Sequence, residues 1–147
     1  MTTTNRVFKP NKTVKYSSQA KTGDALLDLS DGTHMIDLSD VKWNRIVVEV
    51  NVTTLTGTDF NLEAVTTNDQ NFDGSDTLAS NVLAVGGDGS TAFASGNISA
   101  TGRTMFACSK FAADGSAASN IGKYLGFIVD WNATTLTLEV IVHIEGE

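Results

Sequence analysis

The chain has 147 residues, 41% of them apolar, with one proline and one cysteine, which is one domain with room for a full core. It has no run of about 18 apolar residues to span a membrane, and its N-terminal charges are not followed by the apolar stretch of a secretory signal. The lone Cys108 supplies neither a disulfide framework nor a zinc cluster. Charged residues make up 18%, and Thr, Asn, Gly and Ser fill the gap. These are poor helix formers, and threonine favours strands.

Charge is unevenly spread. Residues 1–23 hold Arg6, Lys9, Lys12, Lys15 and Lys21 and no acid, a side-chain charge of +5. The rest has 5 bases against 17 acids, or −12. An acidic body repels phosphate, which argues against nucleic acid as the main partner. The basic stretch is rich in Thr, Asn and Ser and has few apolar residues to bury, among them Val7, Phe8, Val14 and Tyr16. It reads as an extended arm over 1–23 ahead of a domain over 24–147, either a solvated tail or a segment that orders on an acidic protein surface. In the second case Arg6, Phe8, Lys9, Lys12, Lys15 and Tyr16 would dock it.

From Ala25 onward the pattern has period two. Ala25–Leu29 and Thr33–Leu38 flank an Asp-Gly turn at Ser30–Gly32, a hairpin signal. Trp43–Thr53 sets Ile46, Val48, Val50 and Val52 on one face. Phe60–Thr66 sets Phe60, Leu62 and Ala64 inward, and a polar loop follows at Asn68–Asp76. Thr77–Val85 and Ala92–Ile98 read as strands around Gly86–Gly89. Arg103–Phe111 reads as a strand with Met105, Ala107 and Phe111 on one side, followed by a small-residue loop at Asp114–Asn120. Tyr124–Trp131 (Leu125, Phe127, Val129, Trp131) and Thr135–Ile144 (Leu136, Leu138, Val140, Val142, Ile144) alternate clearly. The tight Asn132-Ala133-Thr134 connection predicts that these two pair as an antiparallel hairpin. Asn51–Thr56 echoes Asn132–Thr137, read as one connection chemistry used twice. No window has helical periodicity over three turns. Eight or nine strands at such spacing give a sandwich or barrel.

Groups with catalytic potential are few. His34 and His143 read as structural or surface residues, no Gly-x-Ser-x-Gly elbow is present, and Cys108 reads as a small buried residue inside a strand. The expectation is a protein that is not an enzyme and needs no cofactor. Asp69-Gln70-Asn71-Phe72-Asp73-Gly74 fits the opening of a calcium loop, in which Asp69, Asn71 and Asp73 would offer alternating oxygens. The twelfth position is Ser80, where a bidentate Glu belongs, so an ordinary turn is the plainer reading and no metal is assigned. Trp43 and Trp131 would serve as sugar-stacking platforms only if exposed.

The segments "LDLSDGTHMIDLSD", "RIVVEVNVTTLTGTDFNLEAVTTND" and "GKYLGFIVDWNATTLTLEVIVHIEG", in that order around a variable polar middle, resemble the small capsid cement, or decoration, proteins of tailed bacteriophages over roughly residues 25–145. The resemblance implies a jelly-roll-like antiparallel β-sandwich, here of about eight strands with an extended N-terminal arm. It implies a homotrimer on the outer capsid surface of the virion, made in the host cytoplasm and clamping neighbouring major capsid proteins, with no nucleic acid or membrane partner. The rival expectation is a receptor- or glycan-binding module of a phage fibre or spike, with its site on loops such as Asn68–Asp76 or Gly86–Ser90.

Overall fold

The computed structural model describes residues 12–21, 25–72, 93–109 and 123–146, with backbone alone for 108–109 and 130–134. Regular structure among them is all β: β1 (Lys12–Lys21), β2 (Ala25–Leu26), β3 (Ile36–Asp37), β4 (Trp43–Thr67), β5 (Ala94–Ile98), β6 (Gly102–Ser109) and β7 (Tyr124–Gly146). Two strands dominate. β4 runs for 25 residues and β7 for 23, against a typical length of about 5–6. They pair antiparallel from Trp43↔Gly146 to Thr67↔Tyr124.

This long ladder bends in its middle. Its register slips at Val52/Thr54, Thr56/Gly57 and Gly57/Phe60, and such bulges kink a strand and increase its twist. Gly57 takes φ 101° there, a left-handed value that is costly for a residue with a Cβ. The bend folds the ladder into two layers. In the first, β1 lies beside the second half of β7, which lies beside the first half of β4, which lies beside β6. In the second, β2 and β3 lie beside the first half of β7, then comes the second half of β4, then β5. Taking β2 and β3 as one position, and each half of β4 and β7 as its own, gives eight positions in chain order, stacked 1-8-3-6 over 2-7-4-5. That is the strand order of a jelly roll, and the expected all-β sandwich is what forms.

The inward faces follow the alternation. Ile46, Val48, Val50 and Val52 meet Leu136, Leu138, Val140, Val142 and Ile144 in the first layer, and Phe60, Leu62, Ala64, Leu125, Phe127 and Val129 line the second. Rings bridge the layers edge to face: Tyr16 to Phe127 at 5.9 Å, Phe127 to Phe93 at 6.3 Å and Phe93 to Phe106 at 5.1 Å. A smaller cluster of Leu26, Met35, Val65, Phe72 and Tyr124 covers the outside of the second layer. Gly126 makes room for it. A Cβ there would lie 2.6 Å from Met35 Sδ and 3.3 Å from the His34 carbonyl, inside van der Waals contact.

Several expectations are revised. Residues 132–134 make no hairpin turn: β7 runs straight through them, Ala133 pairs with Gly57, and β4 satisfies both halves. The echoed segments resemble each other because they face each other, Thr54↔Thr137, Leu55↔Leu136 and Thr56↔Thr135, with the Thr56 and Thr135 hydroxyls hydrogen-bonded. The Asp-Gly turn forms, with the Leu29 N–H donating to the Thr33 carbonyl at 2.7 Å. Its two arms, however, pair with β7 at Leu26↔Ile128 and Ile36↔Leu125. In β6 the side holding Met105 and Ala107 faces outward. The Val48↔Phe106 register turns Phe106 toward the core instead. The arm expected over 1–23 is shortened, since residues 12–21 are β1 and belong to the sandwich. Thr77–Val85, Gly86–Gly89, Phe111 and Asp114–Asn120 lie outside the described residues.

Candidate functional site

The docking set proposed for the basic stretch divides in two. Tyr16 is 0% exposed and its hydroxyl donates to the His34 carbonyl at 2.9 Å. Burial pushes its phenol well above the ordinary range. It is a core residue and is withdrawn from the docking set, because β1 pairing turns it inward opposite Val140. The lysines on the same strand are engaged within the subunit. Lys12 Nζ donates to the Asp37 carbonyl (2.8 Å) and to Asp40 Oδ1 (3.1 Å). Lys15 lies 3.3 Å from Glu139 and Lys21 2.8 Å from Asp28. Exposed pairs like these contribute little individually, but they fix where the strand's charges point. Arg6, Phe8 and Lys9 lie outside the described residues.

The calcium-loop motif resolves differently. Asp69 Oδ1 accepts the Asn71 N–H at 2.9 Å, and the Phe72 N–H reaches the Asp69 carbonyl at 3.3 Å. This is an Asx turn that lowers Phe72 into the small outer cluster. Asp73 lies outside the described residues. Among the described residues no three His, Cys, Asp or Glu converge as metal ligands. Two further acids act the same way: Asp31 accepts from Thr33, and Asp37 from Ser39. These hydrogen bonds hold both carboxyls below the usual carboxylate range. An open cleft of about 200 Å³ lies between the two turns, lined by Thr33, His34, Gln70 and Asn71 over the buried Phe72. His34 Nδ1 sits 3.3 Å from the Leu27 carbonyl and 3.0 Å from Asp28 Oδ1. Trp43 belongs to the core, so it is no sugar platform, and the Trp131 side chain is outside the described residues.

The most structured polar surface is the outer face of the first layer. Register sets Lys15, Ile141, Glu49 and Met105 in one row across four strands, and Thr13, His143, Val47 and Ala107 in the next. His143 Nε2 meets Glu49 Oε2 at 2.7 Å and Arg103 reaches Glu49 Oε1 at 3.5 Å. The hydrogen bond from His143, then the charges of His143 and Arg103, hold the Glu49 carboxyl below its usual range. Met105 is 58% exposed, and it is the one large apolar side chain so exposed among the described residues. The sequence reading of His143 as a structural or surface residue fits its place here but misses this face as a unit. Its signal is the apolar residues Val47, Ile141 and Met105 recurring at outward positions between charges.

No protein-family model matches the chain, and no curated protein matches it. Among solved structures, the crystal structure of SPBc2 prophage-derived protein YomS is similar over 95% of this chain and 99% of that chain, with 10% identity and a TM-score of 0.43. The jelly-roll strand order is a property of this chain's own sheet pairing.

Proposed function

We propose that this chain is a structural virion protein of a tailed bacteriophage that binds the outer surface of the assembled capsid as a homotrimer and stabilises contacts between major capsid proteins. The observation that carries the reading is the anchoring of β1. Residues 1–11, with Arg6, Phe8 and Lys9, lead directly into an edge strand that its ladder with β7 and the buried Tyr16 fasten to an acidic sandwich. A docking segment fixed at its root converts ordering on a neighbour into attachment of the whole body. A protein that binds only the assembled lattice stabilises it by mass action, and three copies joined together turn weak contacts into avidity. The resemblance of the sequence to capsid decoration proteins supports the same reading.

The test is deletion of residues 1–11, which leaves β1 whole. Binding to purified undecorated shells should weaken at least roughly tenfold, about 1.4 kcal/mol, while the melting temperature of the free protein stays unchanged. Equal affinity with and without the segment would remove its docking role.

A further inference from the structure

We infer that the outer face of the first layer is where copies of this chain meet. The inference deepens the homotrimer reading by naming its contact surface. The chain carries −7 overall, so two copies repel each other over most of their surface. This face differs. Beside His143, its charged residues are Lys15, Arg45 and Arg103 against Glu49, Glu139 and Glu145, three of each sign, so with the histidine neutral it carries no net charge where the body is acidic.

Each of these charges already has an opposite one beside it: Lys15–Glu139 at 3.3 Å, Arg103–Glu49 at 3.5 Å and Arg45–Glu145 at 4.0 Å. Covering a charge that is already paired avoids leaving a lone ion without water. Between the pairs lie the exposed Met105 and Ala107 and the half-buried Ile141, an apolar centre within a charged rim, as in protein interfaces. Neutral faces of mixed sign suit a like-charged copy better than a strongly charged partner. Around a three-fold axis the contact is heterologous, with one part of this face set against a different part of the neighbouring copy.

Sedimentation of the full chain over a range of concentrations tests this, with Met105→Asp and Ala107→Arg as variants. Both side chains are exposed, and unchanged melting of the dilute protein would verify that each variant folds. The expected result is a wild-type trimer and, in each variant, self-association weakened roughly tenfold or more. A wild-type dimer that both variants dissolve would keep the face and remove the trimer. A wild-type monomer at every concentration, or an oligomer that neither variant weakens, would overturn the inference. So would a monomer whose shell binding Met105→Asp abolishes, since the face would then belong to the capsid contact. Shell binding by the variants is measured separately, so failure of this face and failure of the capsid reading remain distinguishable.

Discussion

The two outer faces of the sandwich are built on halves of the same strand pair, yet they end differently. Over the second layer, Met35 and Phe72 come down on Val65 and Tyr124, and Gly126 leaves the space they need. That face is closed by the subunit's own loops. Over the first layer, charged pairs surround an exposed methionine. Met35 is 7% exposed and Met105 is 58% exposed, so one residue type serves as core on one side and as free surface on the other. The difference teaches that alternation sets which residues point outward, while the loops decide which outward face stays open.

Substitutions can break or sharpen that contrast. The shared interior comes first. Phe127 touches rings from both layers, so Phe127→Ala should cost about 3–5 kcal/mol and melt both layers in one transition. Two separate transitions in a calorimetric scan would show that the faces belong to independent units. Met35→Ala should cost about 2–3 kcal/mol in urea denaturation, and a negligible change would mean the second face is not sealed as described. Tyr16→Phe removes the hydroxyl bond to the His34 carbonyl and should cost about 1 kcal/mol, with β1 left in place.

A smaller effect is expected for Glu49→Gln, and it depends on pH. The folded carboxyl is held below its ordinary value of 4.5, so its stabilisation is fully present above that value and fades as pH falls through the depressed one. The melting temperatures of wild type and variant should therefore differ near neutrality and converge on acidification. A gap that persists undiminished below the carboxylate range would contradict the pairing with His143 and Arg103. Smallest of all, Met105→Ala should change the stability of dilute protein by no more than about 0.5 kcal/mol, the counterpart of Met35→Ala on the closed face.

Much of the interior was readable from alternation. Ile46 through Val52 and Leu136 through Ile144 are buried at every second position, as period two requires. The pairing was not readable. Asn132–Thr134 looks like a connection because short polar stretches often are, but Ala133 pairs with Gly57, far earlier in the chain, and local chemistry carries no record of that. The glycine that permits the bend sits in the opposite strand. For the site, charge was legible and its destination was not. Lys12, Lys15 and Lys21 looked like a free basic run until pairing with β7 set them beside Asp40, Glu139 and Asp28. The parity of β6 was misread because Met105 and Phe106 are both apolar, and only the partner strand chooses between them.

The place of β7 has a consequence for synthesis. It is the last described strand that a ribosome would release, yet it is an inner strand of both layers. Neither layer can close around a nascent chain that lacks it, and its partners are remote in sequence, a topology associated with slow folding. Closure of the first layer must therefore wait for the second half of β7, and a chain broken before it would leave β1 and the first half of β4 with unpaired edges.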